Sequence, residues 1–298
     1  MGAIETDVAL APTVAPTRPA LRYHGGKFRL AAWIQSFFPA HTAYVEPFGG
    51  AAGVLLQKPR SYAEVYNDLD GEIVNFFRVL QDPAARQRLI NLCALTPYSR
   101  DEFELSWQPA IDAVERARRV AIRAQMGFGS AGATKGCTGF RVDTKRSYGT
   151  SQHLWAEYPA GIEMVGARFT GVLIENRPAI DVMLQHDAVD TLTYLDPPYV
   201  FETRCMTSGR AYYRHELSDQ DHAELLDACL SLQGMAVISG YPSALYEDVL
   251  GAAGWISETT SARISAGRGS TIRTECAWLN PACQASLANK ATQQRMFE

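Results

Sequence analysis

The sequence predicts an α/β fold: a mostly parallel sheet with helices on both faces, interrupted by an inserted helical module. Short apolar strand candidates alternate with helical periodicity over residues 43–81 and again over 171–250, the pattern of strands buried on both faces and joined by crossover helices. The alternation lapses between about residues 82 and 159. At 298 residues the chain is roughly twice the length of an ordinary domain, and its 47% hydrophobic and 20% charged residues suffice for a large core.

In chain order, residues 1–20 are Ala/Pro/Thr-rich and carry Glu5 and Asp7, so a flexible tail is expected there rather than a signal peptide. A short helix is expected over 30–38, stopped by Pro39. Residues 43–46 read as a strand that runs into a Gly-rich turn and a helix start. Residues 62–81 read as a second strand, ending at Asn67-Asp68, and a helix. After the lapse come a strand at 171–174, a helix at 180–185, a strand at 191–195, a helix at 219–230, a strand at 235–239 and a helix at 244–250. Final strands are expected near Trp255 and over 275–279, and the polar end 284–298 reads as a helix or a frayed tail. The division that follows is a core of 21–81 with 160–283 and an insert of 82–159.

Composition excludes several classes of function. No run approaches the roughly 18 apolar residues of a membrane helix. The six cysteines contain no C-x-x-C pair, and the six histidines are scattered, so neither a metal site nor a nucleophile–histidine arrangement can be assembled. Reduced thiols and a cytoplasmic location are expected. The net charge of −4 gives no sign of nucleic-acid binding. Residues 116–150, however, hold Arg116, Arg118, Arg119, Arg123, Lys135, Arg141, Lys145 and Arg146 against Asp143 alone, a local +7 that leaves −11 for the rest. Arg116 to Arg123 alone would suit a solvated helix face. The glycines and aromatics that follow, among them Phe128, Phe140 and Tyr148, suit phosphate contact and base stacking.

Two constellations carry chemistry. Glu46-Pro-Phe-Gly-Gly50 lies at a strand's C-terminal end, where α/β sheets bind ligands and glycine admits a cofactor closely. The spacing is neither that of a dinucleotide fingerprint nor that of a P-loop. Asp68, about 20 residues on, is placed either to accept ribose hydroxyls or to cap the helix beginning at Gly71; residue type leaves both open. The second is Asp196-Pro197-Pro198-Tyr199, directly after the strand at 191–195. There two prolines make a rigid turn that presents a carboxylate and a ring to one cleft.

With Tyr23-His-Gly-Gly-Lys27, Val45-Glu-Pro-Phe-Gly-Gly50, Asn67-Asp-Leu-Asp70, Asp196-Pro-Pro-Tyr199, Ser239-Gly-Tyr241 and Glu275-Cys-Ala-Trp-Leu-Asn280 in this order, the chain resembles the Dam-type, D12-class adenine-N6 DNA methyltransferases from about residue 21 to 281. The resemblance implies a Rossmann-like S-adenosylmethionine-dependent fold in the α arrangement, with a mainly helical target-recognition domain in the insert. It implies double-stranded DNA as substrate, base flipping and no metal. Asp196, Pro197, Pro198 and Tyr199 would be catalytic, the Asp196 carboxylate and the Pro197 carbonyl accepting the amine's hydrogens while Tyr199 stacks on the base. Tyr23, Lys27, Glu46, Phe48, Gly49, Gly50, Asp68, Asn176 and Asp196 would surround S-adenosylmethionine, Asn176 near its adenine. Lys27 is also open to DNA contact or to a surface role. In the insert, Arg123, Gln125, Lys135, Arg141, Lys145 and Arg146 are the DNA-binding candidates. Competing readings are methylation of another planar amine, such as cytosine N4 or an RNA base, and an inactive DNA-binding regulator. Asp rather than Ser or Asn at 196, and the intact motif set, favour the adenine enzyme. Neither the recognition sequence nor a homodimer follows from the sequence.

Overall fold

The computed structural model describes residues 15–129, 132–133, 138–142, 150–203, 213–266 and 269–296, the side chains at 263–271 and 290–296 excepted. Helix α1 (Ala31–Gln35) precedes strands β1 (Ala43–Glu46) and β2 (Ala63–Asn67). Helices α2 (Gly71–Gln81), α3 (Pro83–Leu95), α4 (Arg100–Leu105), α5 (Ala113–Met126), α6 (Ser151–Ala156) and α7 (Tyr158–Phe169) then lead to β3 (Leu173–Glu175). Next come α8 (Ala179–Gln185), β4 (Thr191–Leu195), α9 (Asp219–Leu230), β5 (Met235–Gly240), α10 (Ala244–Ala252), β6 (Ile256–Ala266), β7 (Gly269–Leu279) and α11 (Pro281–Met296).

The seven strands lie in the order β3-β2-β1-β4-β5-β7-β6. Strands β1 to β5 are mutually parallel, and β7 runs antiparallel between β5 and β6. This is the Rossmann-like sheet expected of the methyltransferase fold. The chain moves outward from β1 to β2 and β3, then returns to the other side of β1 with β4. A crevice therefore opens at the C-terminal ends of β1 and β4, the place where such sheets bind ligands. Glu46 ends β1, and Asp196 immediately follows β4.

Local chemistry sets the boundaries. Asp70 caps α2 by accepting from Glu72 N at 2.9 Å, which leaves Asp68 out of the cap. Asp82 caps α3, whose first residue is Pro83, and Ser218 and Asp221 form a capping box on α9. The helix start expected after the Gly-rich turn is absent; residues 51–58 remain in turns. Ala52 has a left-handed φ of +54°, and Leu55 N is drawn to the Glu46 carboxylate at 3.1 Å, so the isolated helical bonds from Leu56 N to Ala52 O and from Lys58 N to Val54 O do not extend into a continuous ladder. The last two strands are longer than expected. Pairing between β6 and β7 runs from Ile256 opposite Leu279 out to Ala266 opposite Gly269, whereas β7 pairs with β5 only over Cys276–Leu279.

Among the described residues of 82–169, helices α3, α5 and α7 pack on α2. Phe169 at the end of α7 stacks on Phe77 of α2, with ring centroids 4.3 Å apart and planes 15° apart, and meets Tyr66 of β2 edge-on at 5.4 Å. Leu89, Phe103, Val120, Ile162 and Val165 belong to the same buried cluster as Tyr44 and Tyr66. An amphipathic α5, with Val114, Ala117, Ala121 and Ala124 on its buried face, closes against α2. Phe169→Ala therefore lowers unfolding free energy by about 3–5 kcal/mol in a denaturant titration. A loss under about 1 kcal/mol shows that this joint does not hold the layers together.

Candidate active site

The floor of the crevice is the turn after β1. Gly49 N donates to Asn67 O at 2.7 Å, Gly50 N to Asp68 Oδ2 at 2.8 Å, and Tyr66 OH to Gly50 O at 2.6 Å. A side chain is excluded at both glycines: a Cβ on Gly49 would lie 2.1 Å from the Tyr66 ring, and Gly50 has φ +46°. The turn is thus locked onto the end of β2. Above it lies a cavity of about 440 Å³ whose walls include Tyr23, Glu46, Phe48, Gly50, Asp68 and Asp196, within the size range of small-molecule pockets.

Two carboxylates at this cavity are strongly perturbed. Glu46 is buried, accepts from Tyr44 OH at 2.7 Å and from Leu55 N at 3.1 Å, and burial pushes its carboxyl up to about 8. Asp68 accepts from the backbone of Gly50 and Asp70, yet burial still lifts it to about 6. Asn176, expected beside the cofactor's adenine, is exposed and outside the cavity wall. Its amide donates to Asp68 O at 2.7 Å and Leu69 O at 3.2 Å, so it braces the Asp68 turn.

On the β4 side, Asp196 is held by groups from two other segments. Lys27 Nζ lies 2.8 Å from Oδ1 and 3.0 Å from Oδ2, and Ser239 Oγ of β5 donates to Oδ1 at 3.0 Å. Ser239 is in turn paired with Tyr194 OH at 2.8 Å. Lys27 is 6% exposed, which rules out the surface reading; it also donates to Gly25 O at 2.9 Å and stands 3.4 Å from Glu275 of β7. Burial works to lower the Lys27 pKa, but the carboxylates of Asp196 and Glu275 outweigh it and hold the ammonium above its ordinary range. Burial raises the Asp196 carboxyl, opposed by Lys27 and Ser239. Tyr199 donates its hydroxyl to Glu275 Oε1, and its ring meets Tyr241 at 4.4 Å. Pro197 and Tyr199 line a smaller recess beside the cavity together with Ser239 and Tyr241, while Pro198 lines the cavity itself.

Sequence reasoning placed Glu275, Ser239 and Tyr241 in motifs without giving them a role. It missed Tyr213 and Arg214, which wall the cavity from the segment after the Asp-Pro-Pro-Tyr turn. Tyr213 OH reaches His24 O at 3.4 Å, and Arg214 reaches Asp70 at 3.3 Å. An aromatic and basic cluster at 213–215 was the available signal.

The insert candidates fare differently. Arg123 is buried, donates to Ser106 O, covers the Trp107 ring at 5.4 Å and lies 3.8 Å from Glu72. Arg141 is 6% exposed, and half-buried Gln125 bonds to Tyr158. Arg123 and Arg141 are thus packed inside in this conformation, and Gln125 is partly exposed. Arg116, Arg118 and Arg119 are paired with Glu72, Glu102 and Glu115 at 2.6–2.7 Å. Lys135, Lys145 and Arg146 lie outside the described residues.

A Rossmann-like sheet, a glycine turn beside an acidic second strand, and Asp-Pro-Pro-Tyr at the switch point together define an S-adenosylmethionine-dependent methyltransferase. The model of the D12 class N6 adenine-specific DNA methyltransferases matches residues 23–123. The Type II methyltransferase M1.LlaDCHI of Lactococcus lactis subsp. cremoris is 26% identical over 255 residues, 78% of this chain and 84% of that protein. A solved structure, precorrin 8W decarboxylase of Methanobacterium thermoautotrophicum, aligns over 85% of this chain and 89% of its own at a TM-score of 0.34 and 8% identity, a likeness that carries no argument. The chain is similar to the D12 class over residues 23–123, and together with the Type II relative this supports its reading as an adenine-specific DNA methyltransferase.

The Glu46 environment has a measurable consequence. Its folded pKa, about 8 against an ordinary 4.5, means that the folded state keeps a proton that the unfolded chain releases. Stability is therefore highest at acid pH with respect to this group and falls as pH rises from about 4.5 through 8. Chemical denaturation of the ligand-free protein across that window shows a steeper decline in wild type than in Glu46→Gln; equal slopes contradict the assignment.

Proposed function

We propose that the protein methylates the N6 amine of an adenine turned out of duplex DNA, and that the residues around Asp196 form the target-base subsite. The observation that carries this reading is the position of Asp196. It is an enclosed carboxylate that lines the cofactor-sized cavity and directly precedes the Pro197–Tyr199 turn, two of whose residues wall the neighbouring recess with Tyr241.

The cavity suits S-adenosylmethionine in its chemistry as well as its size. Asp68 offers a carboxylate, fixed by two backbone N–H groups, to ribose hydroxyls. The bare glycine turn lets the Tyr23 ring lie directly against Gly50, where a Cβ would come within 2.9 Å of it. Glu46 and Phe48 flank the methionine portion, with Glu46 available to lose its proton against a positive ligand. When bound, the cofactor supplies an electrophilic methyl group on a sulfonium. The protein's task is to present the amine to it.

The N6 lone pair is delocalised into the adenine ring, and acceptors on the amine's two hydrogens favour the pyramidal, nucleophilic form. Asp196 Oδ and the Pro197 carbonyl are those acceptors in this reading, and Tyr199 is the stacking surface that holds the ring. A base in a duplex cannot reach so enclosed a carboxylate, so it is flipped out at a cost of a few kcal/mol. Rate enhancement then comes from positioning and from fixed dipoles and charges. Lys135, Lys145 and Arg146 supply phosphate contacts on the DNA in this reading, and the location it implies is the cytoplasm, where the enzyme acts on the chromosome.

Reaction of the purified protein with labelled cofactor and mixed-sequence duplex DNA yields N6-methyladenine on nucleoside analysis. Asp196→Ala lowers kcat by about 10³-fold while cofactor binding persists, and Asp68→Ala raises the cofactor KM by about tenfold or more. Label in N4-methylcytosine, or equal label from Asp196→Ala and wild type, overturns the reading. Replacing Lys135, Lys145 and Arg146 together by alanine weakens DNA binding and reduces the slope of log affinity against log salt by about 2–3, with cofactor affinity unchanged. Collapse of cofactor affinity instead refutes this division of labour.

A further inference from the structure

The Lys27 ammonium makes, in the ligand-free protein, the two contacts that a planar amine needs at this place. It donates to both oxygens of Asp196, at 2.8 and 3.0 Å, and it lies 4.7 Å from the centroid of the Tyr199 ring. One cation thus satisfies the acceptor and covers the aromatic surface together. Its next anionic neighbour, 3.4 Å away, is Glu275, a residue 2% exposed on β7 that the chemistry above does not use. The backbone carrying Lys27 is pinned: Gly25 has φ +70°, a Cβ there would fall 2.4 Å from Tyr213 OH, and the same 23–27 loop lines the cofactor cavity.

We propose that Lys27 is a positioning residue that occupies the amine subsite of Asp196 until the target base enters, and that Glu275 is the carboxylate to which its ammonium is then handed. The proposal rests on the adenine-amine reading. The transfer needs rotation of a side chain and no movement of the pinned loop. It changes which of the two carboxylates the single ammonium pairs with, Asp196 then being held by Ser239 and the incoming amine. Lys27 remains close enough to keep Asp196 ionised as an acceptor while vacating the Tyr199 face. The arrangement guards the buried carboxylate against protonation and water when no base is present.

Asp196 is faced by Lys27 from the N-terminal loop, Glu46 from β1, Tyr194 from β4, Tyr199 from the following turn, Ser239 from β5 and Glu275 from β7. Of these Lys27 is the cation, so its removal acts in one direction: Asp196 holds its proton to higher pH. The test measures N6-methyladenine formation on unmethylated genomic DNA, between pH 5.5 and 9, for full-length wild type, Lys27→Arg, Lys27→Met and Glu275→Gln. In Lys27→Met the acid limb of kcat moves up by about one pH unit or more, and KM for DNA falls about threefold because the subsite is no longer occupied. Lys27→Arg restores the wild-type limb. Glu275→Gln raises KM for DNA by about fivefold, more than it lowers kcat, because the displaced ammonium has lost its receiver. If Lys27→Met keeps the wild-type limb and KM, or loses activity evenly at every pH, the pair is merely structural and the proposal is overturned. If wild type itself forms no N6-methyladenine, the adenine reading fails and takes this proposal with it.

Discussion

The ion pair between Lys27 and Asp196 is the constraint around which the site is arranged. A carboxylate in a largely enclosed crevice is stable as an ion only with a partner charge and hydrogen bonds to its remaining lone pairs. The fold supplies these from positions 169 and 43 residues away in the chain, Lys27 and Ser239, and adds Glu275 on the far side of the ammonium. Such a convergence requires the strand order seen here. β5 must lie beside β4 to bring Ser239 to Asp196, and β7 must run antiparallel beside β5 to bring Glu275 to the same end of the sheet.

Asp196 also divides the crevice into two electrostatic halves. On the β1–β2 side, Glu46 and Asp68 are acids held up by burial, poised to ionise against a cationic cofactor. On the β5–β7 side, the Lys27 ammonium is shared between the carboxylates of Asp196 and Glu275, and the rings of Tyr199 and Tyr241 stand beside them. The proposed function assigns a sulfonium donor to the first half and a stacking amine to the second. In the proposed reading the two reactants meet across this one carboxylate.

The parallel strands were legible because each is a short apolar run bounded by Gly, Pro, Asn or Asp, and α9 fell over 219–230 because Ser218 and Asp221 announce its start. The β6–β7 pairing was not, since the Ser/Thr-rich residues 257–265 show no apolar alternation and their register comes from the partner strand. Helical periodicity over 82–169 was visible, but not that Phe169 would stack on Phe77 and join the module to the core. The local charge of +7 misled for a related reason. The counted window opened one residue after Glu115, and the other acids that neutralise its arginines, Glu72 and Glu102, lie outside it in sequence but against it in space. At the site, motif spacing revealed Asp196, Asp68 and the glycine turn; the pairing of Lys27 with Asp196, across 169 residues, emerged only from the fold.

The most direct measurement is a ternary-complex structure with S-adenosylhomocysteine and a duplex containing the target adenine. The account predicts an extrahelical adenine whose N6 lies within hydrogen-bond distance of Asp196 Oδ, stacked on Tyr199, with Lys27 Nζ moved onto Glu275. A target base still stacked in the duplex, or Lys27 still bridging both Asp196 oxygens with the amine bound elsewhere, would contradict it.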